Sequence, residues 1–245
     1  MINVDKLAAE MQRRCKGPAC FGHLAYVDAP DDELVLLANK QYMRIPAARA
    51  FLEMAIKAHV DDGVNLLPAY CFRRHDFQRT LFLNWAKKKN VGFDENVRHV
   101  APAGYSEHHT GYGVDIHDGP GPRHTPNTPF QDRPAYAWLV EHAREFDFEN
   151  SFPRGNVQGV MFEPWHWRWV GNAHAEQTFR TVRRLTALDA EDARVGEAVR
   201  RGGESGIWEQ APQPVRQTLS TLFVEHAELV REEQARLDAW RARSN

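Results

Sequence analysis

Apolar residues recur along the chain with two different periods, which predicts a mixed α and β protein. Three- and four-residue spacing follows Pro46 through Ala58 and returns over residues 75–89 and 134–146, so each of these segments is predicted to be a helix. Residues 64–72 form a mostly apolar run, and residues 165–170 alternate between tryptophan and polar side chains. Both patterns are typical of strands, the first with an edge position because it contains a proline.

The order of these patterns divides the chain into three parts. We predict an N-terminal helix and loop over residues 1–33, a mixed domain over 34–172 and a helical extension over 173–245, where no strand pattern occurs. The last helix should carry an apolar face that packs against the domain or against a partner. That face consists of Leu219, Leu222, Phe223, His226, Leu229 and Val230.

Composition narrows the class of protein and of partner. The chain has 31 Lys and Arg against 33 Asp and Glu, so it lacks the basic excess typical of nucleic-acid binding, and no nucleic-acid partner is expected. Its three cysteines do not form a disulfide framework, and the spacing of Cys15 and Cys20 suggests no pairing.

The N-terminal residues lack the apolar run of a secretory signal, and no stretch approaches the ~18 apolar residues that span a bilayer. The sequence therefore predicts a protein without a transmembrane segment. A cytoplasmic location is expected, with export by a route that needs no signal peptide as the alternative.

Two clusters of polar residues could carry chemistry. Histidines and aspartates are concentrated over residues 108–118, and Glu163 and His166 follow about fifty residues later. Together His108, Asp115 and His166 would supply the three nitrogen and oxygen ligands of a catalytic zinc site, and Glu163 could act as a general base. Two histidines and one carboxylate also form the iron site of some oxygenases, although those sites more typically place the first histidine and the acid two residues apart.

The second cluster is predicted to lie on a strand that aims one imidazole into a cleft. Alternation places His166 and Arg168 on one face, while Trp167 and its neighbouring tryptophans fill the other. Glu163 and His166 are three residues apart, so a regular strand would point their side chains to opposite faces. Pro164 predicts an irregular backbone there, which could bring both side chains to the same side.

These clusters resemble a known family. The pattern Ser106-x-His108-x-x-Gly111-x-Gly113-x-Asp115, followed by Glu163-Pro-Trp-His166, is similar to the VanY-type D-alanyl-D-alanine carboxypeptidases, which are zinc peptidases of the lysostaphin/D-Ala-D-Ala/hedgehog fold group. Upstream, Phe72-Arg73-x-x-x-x-Gln78 resembles a further segment of the family. The resemblance spans roughly residues 34–172. It implies an α+β domain in which a small antiparallel sheet holds the zinc, with the helical extension appended.

The resemblance also implies roles for individual residues. One zinc ion per chain would be bound by His108, Asp115 and His166. Glu163 would be the catalytic base and acid, and Arg73 would bind the terminal carboxylate of the substrate or the developing oxyanion.

The resemblance implies the roles of other residues near Arg73 less directly. Ser106 would hydrogen-bond the substrate near the metal, and Gln78 would have a structural role. Residues 70–72 depart from the Ser-Gly-Tyr of the family, which affects the wall beside Arg73 and therefore the substrate more than the chemistry. Arg74 adds a second cation, either as a further carboxylate ligand or as a surface residue.

The function implied is that of a zinc-dependent D-alanyl-D-alanine carboxypeptidase acting on peptidoglycan stem peptides or their precursors. One alternative is an endopeptidase that cuts peptidoglycan stems. A second is a non-catalytic zinc-binding interaction domain, which the presence of Glu163 disfavours because a structural site needs no base.

Overall fold

Helices and short strands are intermixed along the chain, and four of the strands form one small sheet. The computed structural model describes residues 2–119, 129–201 and 211–244. The α-helices among these residues are α1 (Val4–Arg14), α2 (Ile45–Asp62), α3 (His75–Lys89), α4 (Phe93–His99), α5 (Pro134–His142), α6 (Ala173–Thr178), α7 (Arg180–Glu191), α8 (Ala193–Arg201) and α9 (Gln213–Ser244). In the ranges described, none of them combines the length and the apolar composition needed to cross a bilayer.

The strands are short, and all pair antiparallel. They are β1 (Ala19–Cys20), β2 (His23–Leu24), β3 (Leu34–Leu36), β4 (Tyr42–Arg44), β5 (Leu67–Tyr70), β6 (Gly113–His117), β7 (Phe148–Asn150) and β8 (His166–Trp169). β1 pairs with β2 and β3 with β4, and the other four form one sheet in the order β5-β6-β8-β7. The predicted α+β class, with a small antiparallel sheet and C-terminal helices, is confirmed.

The register of the four-stranded sheet brings the two sequence clusters together. Asp115 of β6 lies opposite His166 of β8, and Gly113 lies opposite Arg168. On the other side of β6, Tyr70 of β5 pairs with Asp115. β5 is an edge strand, as its proline predicts.

The periodic segments were predicted well, and the short ones were missed. The predicted helix after Pro46 is α2, and residues 75–89 form α3 as predicted, whereas residues 134–146 divide into α5 and a 3-10 turn. Strands β1 to β4 and β7 contain two or three residues each, which is too short for alternation to identify.

One hydrophobic core joins the sheet to the helical extension. Phe51 of α2 and Trp167 of β8 belong to the same buried cluster as Phe179, Leu185 and Leu219 from the extension. The extension therefore completes the core of the domain. This is the packing against its own domain that the apolar face of the last helix predicts.

Helix α9 also contacts the N-terminal segment. The His226 ring donates a hydrogen bond from Nε2 to the Ala25 carbonyl oxygen over 2.9 Å, and His226 is 1% exposed. Nearby, Arg236 lies 3.4 Å from the Glu33 carboxylate. The segment between β2 and β3 is therefore enclosed by the C-terminal helix.

Cys15 and Cys20 form a disulfide, so the expectation of unpaired cysteines was wrong for these two. Cys15 ends α1, and the chain turns back through Gly17 and Pro18 into β1, which leaves the two Cα atoms 5.0 Å apart. That separation lies within the usual range for a disulfide. Cys71 is a buried free thiol.

Candidate active site

The three predicted metal ligands converge at the junction of β6 and β8. Asp115 and His166 are cross-strand neighbours, and His108 lies on the 3-10 turn that precedes β6. That turn ends at Gly111, whose φ of +71° favours glycine. The ligand atoms of the three side chains lie within 4.8 Å of one another, and each residue is 2% exposed.

His108 is held in the tautomer that a metal ligand requires. Its Nδ1 donates to the carbonyl oxygen of Cys71 over 2.6 Å, so Nε2 keeps its lone pair and faces Asp115 Oδ1 at 3.4 Å. Burial and the positive charge of Arg73 lower the pKa of His108 to about 4. The ring is therefore neutral at physiological pH and available as a ligand.

His166 lies between two carboxylates. Its Nδ1 is 2.9 Å from Asp115 Oδ1, its Nε2 is 3.0 Å from Glu107 Oε2, and its ring stacks on Phe152. Burial alone would lower the pKa of His166, but the hydrogen bonds to the two carboxylates raise it to about 9. Two imidazole nitrogens and a carboxylate oxygen, buried within reach of one another, fit the donor set of a catalytic zinc ion.

Glu107 is a site residue that the sequence analysis did not identify. Its Oε1 accepts a hydrogen bond from Arg168 over 2.8 Å, and its Oε2 accepts one from Ser151 over 2.5 Å in addition to that from His166. Burial would raise the pKa of Glu107, but the charge of Arg168 and these hydrogen bonds lower it to about 2. A usable indication existed, because an arginine on the buried face beside His166 requires an acidic partner.

His108, Asp115 and His166 open onto a cleft of about 1170 Å³ that Glu163, Arg73 and Ser106 also line. Glu163 lies in a turn in which the His166 N–H donates to the Glu163 carbonyl over 3.2 Å. The irregular backbone predicted at Pro164 is observed, and it lets Glu163 and His166 face the same cleft.

Arg73 is fixed in the loop between β5 and α3. Its Nε donates to Gln78 Oε1 over 2.9 Å, and its Nη1 lies 3.7 Å from Asp115 Oδ2. The Arg73 backbone is bound at both ends of the residue, since its N–H donates to the His108 carbonyl and its carbonyl accepts from the His109 ring at 2.6 Å. These contacts hold the guanidinium beside Asp115.

Ser106 and Arg74 have different surroundings. The Ser106 hydroxyl accepts from the His108 N–H at 3.4 Å, so it caps the turn that carries this ligand while lining the cleft. Arg74 pairs with Asp31 and stacks over Phe72 outside the cleft lining. Of the two interpretations of Arg74, the surface residue is the one observed.

A second group of histidines and an aspartate lies behind the Arg73 loop. Asp28 Oδ1 is 3.4 Å from His109 Nδ1 and 3.6 Å from His75 Nε2. However, the same two nitrogens face the carbonyl oxygens of Arg73 at 2.6 Å and Tyr26 at 3.0 Å. A nitrogen that donates to a carbonyl has no lone pair for a cation. This group therefore acts as a hydrogen-bonded support for the loop.

Comparison with known proteins assigns the chain to a family. The model of the VanY family, described as D-alanyl-D-alanine carboxypeptidase, matches residues 40–172, which is just over half of the chain. The chain belongs to this family.

Curated relatives carry the same description. The D-alanyl-D-alanine carboxypeptidase of Enterococcus faecium is 30% identical over 151 residues, covering 59% of this chain and 44% of that protein. A protein of the same name from Enterococcus faecalis (strain ATCC 700802 / V583) is 31% identical over 150 residues, covering 58% of this chain and 53% of that protein. The chain thus spans about half the length of the curated relatives it matches.

A solved structure shares the fold. VanYB in complex with D-alanine-D-alanine superimposes with a TM-score of 0.51 at 27% identity, covering 68% of this chain and 97% of that one. The predicted VanY-type fold is therefore confirmed.

Proposed function

We propose that this protein is a zinc-dependent D-alanyl-D-alanine carboxypeptidase that acts on peptidoglycan stem peptides or their precursors. The observation that carries the proposal is the buried donor set of His108, Asp115 and His166, which opens onto the same cleft as Glu163 and Arg73. Family membership and the D-alanine-D-alanine bound to VanYB support the same substrate class.

In this proposal the two histidines and Asp115 hold one zinc ion per chain. When bound, zinc polarises the scissile carbonyl and lowers the pKa of water toward about 7. Nε2 of His108 and Nδ1 of His166 are the proposed nitrogen ligands, because both face Asp115 while the other nitrogen of each ring is hydrogen-bonded to a group outside the ligand set. Binding of zinc would displace the proton that His166 Nδ1 shares with Asp115.

Glu163 is the proposed general base and acid. Its carboxylate takes a proton from the attacking water as the new C–O bond forms and returns that proton to the leaving amine as the C–N bond breaks. The half-buried position of Glu163 in the wall of the cleft that His166 also lines supports this role.

Arg73 is the proposed anchor for the free carboxylate of the substrate. Its Nε donates to Gln78, its Nη1 lies 3.7 Å from Asp115 Oδ2, and the residue lines the cleft. A guanidinium held in this way can form charge-assisted hydrogen bonds with a terminal carboxylate, and Ser106 would contact the substrate nearby.

The test is hydrolysis of a pentapeptide ending in D-Ala-D-Ala by the purified, zinc-loaded chain. We expect release of the terminal D-alanine, loss of activity on removal of zinc by a chelator, and its return on readdition. Absence of turnover on this peptide and on isolated sacculi, with zinc bound, would contradict the proposal and favour the interaction-domain alternative.

The size of the cleft favours an endopeptidase as the second candidate. At about 1170 Å³ it exceeds the usual range of small-ligand pockets, so it has room for a longer peptide than a terminal dipeptide. The same assay separates the two, because an endopeptidase would cut within a stem whose terminal carboxylate is amidated.

The Cys15–Cys20 disulfide is relevant to the cellular location of the protein. Disulfides persist in oxidising compartments and are rare in the cytosol. The Cys15–Cys20 bond therefore supports the exported alternative of the two predicted locations.

A further inference from the structure

Glu107 contacts the proposed zinc ligand His166 but is not itself one of the proposed ligands. Its carboxylate is 3% exposed and is 3.0 Å from Nε2 of His166, on the side of the ring opposite the nitrogen that faces Asp115. We infer that Glu107 is a positioning residue, which holds a proton on Nε2 of His166 and orients the ring so that Nδ1, once its own proton is displaced, is the atom that binds zinc. This inference rests on the proposed function.

The tautomer follows from the acceptor. A carboxylate can only accept, so Glu107 requires a proton on Nε2 of His166, and the proton that zinc displaces is then the one on Nδ1. In His108 the roles of the two nitrogens are exchanged. Nδ1 donates its proton in a hydrogen bond to the Cys71 carbonyl, so the lone pair is on Nε2. The two rings thus present different nitrogens to Asp115, each set by the partner behind it.

The carboxylate is itself held in place from two further directions. Arg168 donates to Oε1, and Ser151 donates to Oε2. The other end of Arg168 is bound by Glu149, at 2.8 Å from its Nε. Arg168, Ser151 and Glu149 are all buried, so these protein groups, and not solvent, determine the position of Glu107.

An amide at position 107 could not reproduce this arrangement. If the amide oxygen of Glu107→Gln faced His166, its NH₂ group would meet the donor of Arg168. If the oxygen faced Arg168, the NH₂ group would meet Nε2 of His166 and favour the tautomer with its proton on Nδ1, the proposed ligand atom. The first orientation breaks the contact with Arg168 that holds the side chain in place, and the second favours the wrong tautomer of His166, so both weaken the arrangement proposed to support zinc binding, although the shape of the side chain is kept.

The experiment compares zinc affinities by competition with a chromophoric chelator. Glu107→Gln should weaken zinc binding by roughly 10- to 100-fold, as loss of a hydrogen-bond partner behind a ligand usually does. Glu149→Gln is the matched control, because it makes the same change to the other carboxylate on Arg168 without touching His166. We expect its zinc affinity to stay within about threefold of the parent chain. Equal losses in both variants would overturn the inference, since they would indicate a general effect of the buried charges.

A spectroscopic measurement keeps the inference testable if Glu107→Gln does not fold. In the zinc-loaded parent chain, proton–nitrogen correlation spectra of ¹⁵N-labelled histidine should show His166 with a proton on Nε2 and none on Nδ1. The reverse pattern would overturn the inference, whatever the variants do. A parent chain that binds no zinc would overturn the proposed function, and the inference with it, whereas normal zinc binding by a folded Glu107→Gln would overturn the inference alone.

Discussion

At the scale of single residues, each polar side chain of the site is oriented by a hydrogen-bond partner. His108 and His166 are directed toward Asp115 by a backbone carbonyl and by Glu107, and Arg73 is directed by Gln78. Each of these contacts fixes the orientation of a side chain that lines the cleft.

Replacing the proposed base should separate chemistry from metal binding. Glu163→Gln keeps the size of the side chain but cannot accept the proton of the attacking water. We expect zinc content to stay at about one equivalent and turnover of the D-Ala-D-Ala peptide to fall by about 10²- to 10⁴-fold. Metal analysis and steady-state kinetics on the same preparation provide the check. Turnover close to that of the parent chain with zinc bound would move the base to another residue.

Replacing the proposed carboxylate anchor should depend on the substrate. A charge-assisted contact with a free terminus contributes about 2–3 kcal/mol. Arg73→Ala should therefore reduce kcat/KM for the acid-ended peptide by roughly 30- to 150-fold and that for the amidated peptide much less. Arg74→Ala is the matched control, because this neighbouring arginine pairs with Asp31 outside the cleft lining. Equal losses on the two peptides would indicate an oxyanion or structural role for Arg73.

At the scale of elements, the sequence predicted those parts of the site that depend on regular periodicity. Alternation along β8 correctly separated His166 and Arg168 from Trp167, because a strand of four buried residues obeys the period of two. The pairing of β8 with β6, and with it the approach of His166 to Asp115, depends on a register that a single sequence does not reveal. The resemblance to a family supplied that information instead.

Glu107 shows why the remainder of the site was missed. Nothing in a local pattern distinguishes a buried glutamate from a solvated one, and its partners Ser151 and Arg168 are 44 and 61 residues away along the chain. The short hairpins were missed for a related reason. Their strands are held by turns and tertiary contacts, and they carry too few residues to show a period.

The link between α1 and β1 gives a prediction at this scale. A short loop closed by a disulfide stabilises the folded chain by about 2 kcal/mol, because the unfolded chain loses conformational freedom. The double change Cys15→Ser with Cys20→Ser should lower the free energy of unfolding by about that amount, as measured by urea unfolding without reductant. Reduced parent protein is the control and should resemble the variant.

Thiol counting tests the disulfide directly. The chain has three cysteines, so the unfolded but unreduced protein should show one reactive thiol, that of Cys71, and the reduced protein three. Three thiols before reduction would show that Cys15 and Cys20 are not paired.

At the scale of the whole molecule, the predicted division into three parts stays a prediction, but the described residues of all three contribute to shared contacts. Phe179 and Leu219 of the extension are fully buried in the core that contains the sheet. The Phe179 ring also lies under the guanidinium of Arg168, 5.4 Å from its centroid. The extension thus packs directly against the buried charges that hold His166, so its packing and the geometry of the site are physically connected.

The buried histidine of α9 makes this packing sensitive to acid. Burial, followed by the positive charge of Arg180, lowers the pKa of His226 to about 4, against 6.5 in the unfolded chain, despite the opposing hydrogen bond to Ala25. Above about pH 6.5 the ring is neutral in both states, and its contribution to stability is fully present. As the pH falls from 6.5 toward 4, only the unfolded chain takes up the proton, so stability is lost across this window.

His226→Gln should remove this part of the pH dependence while keeping a donor for the Ala25 carbonyl. A difference of about 2.5 pKa units corresponds to about 3 kcal/mol, so the parent chain should lose up to that much more stability than the variant between pH 7 and pH 4. Urea unfolding of both proteins at a series of pH values, in the presence of a chelator, measures the difference. The other buried histidines titrate equally in both proteins, and their effects cancel. Parallel pH profiles for the two proteins would show that His226 takes up its proton as readily in the folded chain as in the unfolded chain. In that case α9 does not bury His226 against the N-terminal segment in solution.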